Sequence, residues 1–562
     1  MNQPTFSLAC PACGYHELYS RPLPECPRCG EEWLEARYNL PAAVEGWPAA
    51  LADRPASLWR YRELLPIWDD ANIVSLGEGW TPLIRADSLG LMLGRPHLYL
   101  KDERQSPTGS FKDRQASVFA SMLKESAITE AVVASTGNVA IAYSAYCARA
   151  GIKLWTFITS RVPADKMREI MLYGSELVKV SSTYDQTKAI AAHFARTRGL
   201  HVDKGVKSIA AKEAMKTVAF EIAEQLPVAL THRGDTTTQG SRTGWQAPDW
   251  YIQAVSGGLG PVGVHLGFQQ LLEAGLVDRV PKMAHIQVEG CAPMALAYRH
   301  GLDSAQAVRH PKTHITTLAT GTPGATYTWL KRTADRYGGH FDSVNDEEAY
   351  RALHVLAKME GISVEPAAAV AFAGLFKMIQ QGLIGPDEVV VVNCSGHTFP
   401  VEQQILGQAW DRRHEVAGAV AESPREGLTA AISRLDRQTT RVAIIEDNAD
   451  AARLLRRILQ ARGGFVIDEA RDGPTALAML RQNPPDLIIL DLMLPGIDGF
   501  GVLNQLKEDE RLAPIPILVV SAKSMTAQER AQLRAQTEGF LEKGTFTDED
   551  LIDRIMIHLN GQ

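Results

Sequence analysis

No segment of this sequence has the makings of a membrane span or an export signal. Every long apolar run is interrupted by a charge or a proline well short of bilayer length, and the opening stretch, MNQPTFSLAC, is neither basic nor apolar. A cytoplasmic protein with no membrane partner is expected. Runs of lysine and arginine are missing too, and the net charge is -7. Nucleic acid is therefore not an expected partner, and small-molecule chemistry is. Cysteine is scarce, seven in 562 residues, so no disulfide framework is expected. Cys147, Cys291 and Cys394 sit in apolar stretches and read as buried thiols. There is no internal repeat. What remains, 45% hydrophobic and 22% charged residues, is ordinary globular composition over a length that calls for two or more domains.

The other four cysteines form two knuckles, Cys10-Pro-Ala-Cys13-Gly and Cys26-Pro-Arg-Cys29-Gly. Four thiolates suit tetrahedral zinc and leave no position open for a catalytic water, so the site reads as structural, with a redox or chance cluster as the alternative. This module spans residues 1–40, and a proline-bearing connector, 41–75, is expected to pack on the α/β module after it. From 76 to 414, strand-like runs at 132–134, 155–158, 251–255 and 389–392 alternate with helical patterns, the mark of an α/β fold. The polar stretch 231–244 reads as a surface insertion and 415–439 as a tether. A separate domain covers 440–562.

In the stretch SPTGSFKDR, Lys112 opens a helical apolar pattern (Val118, Phe119, Met122, Leu123), where a cation is poorly placed against the helix dipole. An amine at a glycine-rich turn can bind an aldehyde cofactor covalently if its surroundings let it lose its proton, which points to pyridoxal phosphate. Three further strand ends supply partners. Ser135, Thr136, Gly137 and Asn138 stand at a helix start, with donors to hold a substrate carboxylate. The run Ser256-Gly257-Gly258-Leu259-Gly260 offers bare backbone to a phosphate. Ser395, in Asn393-Cys-Ser-Gly-His397, places a hydroxyl where open α/β sheets bind ligands.

Together with Leu76-Gly-Glu-Gly-Trp-Thr-Pro-Leu83, Lys216-Thr-Val-Ala-Phe-Glu-Ile222, Gln287-Val-Glu-Gly-Cys-Ala-Pro293 and Glu360-Gly-Ile-Ser-Val-Glu-Pro366, this ordered set resembles fold-type II pyridoxal-phosphate enzymes over residues 8–400. The likeness is strongest to the threonine synthase family with an N-terminal zinc ribbon. It implies two α/β subdomains, Lys112 as the covalent anchor, and Phe111 and Asn138 against the cofactor ring. It further implies Gly257, Gly258, Leu259 and Gly260 on the cofactor phosphate and Ser395 at the pyridine nitrogen. A hydroxyl there, unlike a carboxylate, does not keep that nitrogen protonated. The weaker electron sink suits elimination or replacement at the β or γ carbon of an amino acid, with Lys112 as general base and then acid.

The substrate implied by the resemblance is O-phospho-L-homoserine, but the donors for its phosphate are altered. Ser208-Ile-Ala-Ala-Lys212 and Glu213-Ala-Met-Lys-Thr217 replace the family's Asn-Pro-x-Arg and Glu-Gly-Gln-Lys-Thr, and Ser182-Thr-Tyr-Asp185 replaces Gly-Asn-Phe-Asp. A lysine does not reproduce an arginine fork. Lys188, Lys212 and Lys216 are the cations read as compensating, and O-phosphoserine, serine or threonine stand as alternative substrates. Relatives of this fold are often dimers, which leaves a homodimer open.

In the tail, Val442-Ala-Ile-Ile445 ends in Glu446 and Asp447, Leu487-Ile-Ile-Leu490 ends in Asp491, and two further strands end at Ser521 and Lys543. Acids at adjacent strand ends make a site for an oxygen-loving divalent cation. The segment resembles the receiver domain of response regulators, a doubly wound, flavodoxin-like fold. That implies Asp491 as phosphoacceptor, Glu446, Asp447, Asp491 and the Met493 carbonyl around Mg2+, Ser521 and Lys543 on the phosphoryl oxygens, and Phe540 as the aromatic switch. Gly544 departs from the usual proline. A sensor histidine kinase or phosphotransfer protein is the implied partner. The main reading is an enzyme modulated by this tail. The competing one is a signalling scaffold whose degenerate enzyme module only binds pyridoxal phosphate or an amino acid. No DNA-binding helix pair comes after the receiver, which argues against a transcription factor.

Overall fold

The computed structural model describes residues 6–135, 137–159, 162, 164–231, 244–397, 440–462, 465–521, 533, 536–537 and 539–543. Thr136, Gly544, the tether and nearly all of the polar insertion lie outside the described residues. No described helix is long and apolar enough to cross a membrane.

The N-terminal module is an antiparallel sheet in the order β2-β1-β3, formed by Phe6–Ala9 (β1), His16–Leu18 (β2) and Glu35–Tyr38 (β3). Phe6 stacks between Tyr19 and Tyr38, with centroids 4.5 and 5.6 Å away. The connector packs on the α/β module through the buried Trp47, which meets Tyr61, Phe220 and Trp245.

That module holds two α/β sheets. The larger runs β12-β11-β10-β13-β5-β4 and comprises Leu83–Arg85 (β4), Leu98–Asp102 (β5), Trp250–Ala254 (β10), Lys282–Val288 (β11), His340–Val344 (β12) and Val390–Cys394 (β13). Only β4 pairs antiparallel. The smaller runs β8-β7-β6-β9, all parallel, from Glu130–Ser135 (β6), Lys153–Thr159 (β7), Glu176–Val180 (β8) and His201–Val202 (β9). Strands such as β13, buried at every residue, read as continuous apolar runs because helices cover both faces. The chain leaves the large sheet after β5, forms the helix Lys112–Glu125, and enters the small sheet at β6. Lys112 therefore stands at the passage between the sheets.

That helix is held by buried charge. Arg114, fully buried, donates to Glu103 (2.7 Å from both Nε and Nη2) and to Glu221 (2.5 and 2.8 Å), and Lys101 Nζ reaches Glu221 at 2.7 Å. Glu221 lies on the long helix Ile209–Thr231. Conspicuous sequence boxes thus meet in an ion network beside the segment that bears Lys112. Its members neutralise one another where neither sign could stand alone.

The C-terminal sheet runs β15-β14-β16-β17-β18, all parallel, from Thr440–Ile445 (β14), Phe465–Ala470 (β15), Leu487–Leu490 (β16), Ile517–Ser521 (β17) and Gly539–Glu542 (β18). Strand order reverses between β14 and β16, which opens a crevice at their carboxyl ends.

Candidate active site and receiver pocket

Lys112 is the first residue of its helix, after Phe111 at the N-cap. Its ammonium lies 4.0 Å from the Phe111 ring centroid, and among the described residues no hydrogen bond holds it. Burial lowers its pKa to about 8, although the nearby Glu365 and Asp203 carboxylates act to raise it. The segment before it is clamped to the end of β13. Phe111 N donates to Ser395 O at 3.0 Å, His397 N to Gly109 O at 2.8 Å, and Ser110 bridges Gly396. Lys112 and Ser395 are therefore neighbours.

The glycine loop comes after β10, which pairs with β13 with Ile252 opposite Val392, so the loops after both strands emerge side by side. Gly258, at φ 87°, caps the helix Leu259–Glu273, and Leu259 is its first residue. A Cβ on Gly258 would fall 2.5 Å from the Thr326 methyl, and one on Gly260 would fall 2.3 Å from the Gln253 amide. Beside Gly257, the Ser256 and Thr320 hydroxyls sit 2.6 Å apart. A side-chain-free turn at a helix N-terminus, flanked by hydroxyls, fits a phosphate dianion.

Ser135 ends β6, and its Oγ accepts from Gly137 N and Ala140 N, both at 3.0 Å, so it caps the helix Asn138–Ala150. The Asn138 amide donates to both oxygens of Glu365, while Lys166 Nζ donates to Asn138 Oδ1 at 2.8 Å. Lys166 also lies 3.6 Å from Glu365. The sequence reading missed both residues as site members. The signal for Lys166 was its place soon after a third strand end, that of β7. Glu365 sits within a conspicuous box but comes from far along the chain. Asp203, half-buried, accepts from Gly205 N at 3.1 Å, and desolvation raises its pKa to about 6, with the Lys112 charge opposing.

The three lysines read as compensating are each engaged by another group. Lys212 Nζ donates to Leu34 O at 2.9 Å above the Trp33 ring, and Lys216 pairs with Glu213 over the Tyr38 ring. Both serve the joint with the N-terminal module. Lys188 is paired with Asp185 at 2.8 Å.

The four sulfurs of Cys10, Cys13, Cys26 and Cys29 lie together, with Cys10 to Cys29 and Cys13 to Cys26 both 3.6 Å. Four sulfurs at about 2.3 Å from one zinc ion would be about 3.8 Å apart, so the spacing fits. Gly14 and Gly30, at φ 70° and 74°, close the knuckles with N–H bonds to Cys10 O and Cys26 O. Cys147 and Cys394 are buried thiols, Cys147 pushed up to about 12 by that burial.

In the C-terminal crevice, Glu446, Asp447 and Asp491 bring carboxylate oxygens together, as a divalent cation would require. Asp491 accepts from Ser521 Oγ (2.6 Å), Met493 N (3.0 Å) and Lys543 Nζ (2.6 Å), and Lys543 also lies 2.6 Å from Glu446. Phe540 packs against the core beneath.

Comparison with known proteins finds two family matches along the chain. Residues 74–396 match the family model "Pyridoxal-phosphate dependent enzyme", and residues 442–556 match "Response regulator receiver domain". The threonine synthase of Methanocaldococcus jannaschii is 34% identical over 348 residues, covering 62% of this chain and 81% of that protein. Those of Methanosarcina acetivorans (29% over 402 residues; 71% and 94% covered) and Synechocystis (31% over 370 residues; 64% and 88%) are also similar.

Proposed function

The chain belongs to the pyridoxal-phosphate dependent enzymes and carries a response regulator receiver domain, and from this we propose that it is a threonine synthase-like lyase whose turnover is modulated at Asp491. The reaction is conversion of O-phospho-L-homoserine and water to L-threonine and phosphate, in the cytoplasm. The observation that carries the reading is the Lys112 amine, free of hydrogen bonds among the described residues and lowered to about 8, beside a glycine cradle suited to phosphate.

Lys112 would hold the cofactor aldehyde, Gly257, Gly258, Leu259 and Gly260 its phosphate, Phe111 and Asn138 its ring, and Ser395 its nitrogen. The bound cofactor supplies the electron sink that stabilises charge developing at the substrate Cα. Everything else falls to the chain. Lys112 Nζ takes a proton from carbon and returns it, which its lowered basicity permits near neutral pH. Ser135, Gly137 and Asn138 orient the carboxylate at a helix start. Lys166 beside Asn138 supplies a cation for the anionic substrate, while Lys212 and Lys216 are engaged at the N-terminal joint. Cys10, Cys13, Cys26 and Cys29 hold a structural zinc ion, and Glu446, Asp447, Asp491 and the Met493 carbonyl hold Mg2+ for phosphoryl transfer from a kinase or phosphotransfer partner.

A point charge discriminates phosphate less well than an arginine fork, which keeps O-phosphoserine, serine and threonine as the second substrate set. The test is a turnover screen of all four substrates with cofactor-loaded protein. Phosphate release from phosphohomoserine supports the reading. Turnover of another substrate alone withdraws threonine synthesis, and a protein that binds cofactor and turns over none favours the scaffold.

A further inference from the structure

We infer that the receiver docks on the catalytic module through its first helix, Ala449–Arg462, and that Arg457 on this helix links the Asp491 pocket to the Glu365–Asn138 pair. This rests on the reading of the chain as a receiver-modulated enzyme and adds the route.

Arg457 Nη1 donates to Ser88 Oγ at 2.5 Å, and Nη2 donates to the carbonyls of Lys358 (3.1 Å) and Met359. Ser88 belongs to the helix Asp87–Met92, and the two carbonyls to the last turn of Asp346–Glu360. Last-turn carbonyls have no partner within their own helix and favour a cation. One guanidinium therefore caps one helix and ties it to another. Glu360 closes the same joint by accepting from Leu89 N at 2.6 Å. Apolar packing runs across the joint: Leu454 and Ile458 of the receiver share a core with Leu89, Leu356 and Met359.

From this joint the chain leads to the cofactor site. The capped helix ends at Gly361, in left-handed geometry. Ser363 O then accepts from Arg104 Nη1 at 2.8 Å, while Arg104 grips Asp102 at the end of β5 with bonds of 2.6 and 2.8 Å. Glu365, two residues on, holds the Asn138 amide. On the receiver side, the docking helix begins directly after the acid pair, with Asn448 Oδ1 accepting from Asp450 N and Ala451 N at 3.0 Å. Lys543 is shared between Asp491 and Glu446, so a phosphoryl group on Asp491 competes for it and changes the charge at the root of that helix. The docked helix is the element both sites bias.

The test uses full-length protein with and without acetyl phosphate and Mg2+. Cofactor affinity is titrated, and hydrogen exchange is followed over residues 358–365, which reads the joint even in cofactor-free protein. Wild type is expected to shift its affinity about fivefold or more on phosphorylation, within the usual range of allosteric coupling, with altered exchange at 358–365. In Arg457→Ala, phosphorylated to the same extent by mass, both responses should vanish; Ser88→Ala should weaken them, and Arg457→Lys should keep part. An Arg457→Ala protein that responds like wild type overturns the route while leaving regulation standing. A wild type that accepts the phosphoryl group without either response overturns both.

Discussion

The Asn138 side-chain amide donates to both carboxylate oxygens of Glu365, at 2.8 and 2.9 Å. Asn138 starts a helix behind the small sheet, whereas Glu365 precedes a helix of the large one. Their bond spans the cleft in which Lys112 lies, and a Cβ on Gly396 would fall 2.5 Å from Glu365 Oε1.

Glu365→Ala releases the Asn138 amide and should weaken pyridoxal-phosphate binding by about ten- to a hundredfold, since a hydrogen bond to a charged group contributes about 1.5–3 kcal/mol. Titration of apoprotein with cofactor measures this. Affinity equal to wild type would remove Glu365 from the positioning of Asn138.

Lys112 reacts with an aldehyde only as the neutral amine. Because its pKa is lowered to about 8, the rate at which apoprotein takes up cofactor covalently should rise with pH through about 8 and level off above it. Stopped-flow absorbance gives the profile. A rise centred near the ordinary lysine value of about 10.4 contradicts the burial argument.

Arg114→Met leaves Glu103 and Glu221 buried in the core with Lys101 as the remaining cation of the network among the described residues. Losing one partner of a buried ionic network costs about 3–5 kcal/mol, so the urea midpoint should fall sharply. A midpoint within error of wild type would show that the network is dispensable.

Much of this arrangement was legible in the sequence, because strand-end loops are local: an apolar run followed by glycines and a helical pattern declares itself without knowledge of what it meets. The knuckles and the receiver acids were readable for the same reason. The pairings across the cleft were not. Lys166, Glu365 and Arg457 act on groups far away in the chain, and no spacing rule says which surfaces will touch. Lys212 and Lys216, read as compensating cations, are buried against the N-terminal module, a contact that no spacing rule announces. Arg114 and Glu221 lie in boxes that resemble the cofactor site of the family, yet they form the frame behind it.

His285 is buried against Phe341, with neither ring nitrogen hydrogen-bonded among the described residues, and burial lowers its pKa to about 3. The unfolded chain takes up this proton first, near about 6.5. The contribution is therefore complete above that pH and is lost as pH falls through the window down to about 3. His285→Phe should flatten the decline in denaturation midpoint between about pH 7 and 5, whatever its effect at neutral pH. An unchanged slope contradicts this.

The N-terminal module is attached to the catalytic module by Lys204 and Lys207 on Glu32, both 2.5 Å, and by Lys212 on Leu34 O. Cys26→Ser should abolish stoichiometric zinc, since a site of this kind folds with its metal. It should also lower the melting temperature of the whole catalytic module, read by metal analysis and calorimetry. Zinc retained at full occupancy would contradict the four-sulfur site.

The central claim is that the Lys112 amine carries the cofactor. Borohydride reduction of the yellow protein, followed by peptide mass spectrometry, tests it most directly. A pyridoxyl adduct on the peptide bearing Lys112, and none in Lys112→Ala, is the predicted result; an adduct on a different lysine, or no adduct at all, contradicts the account.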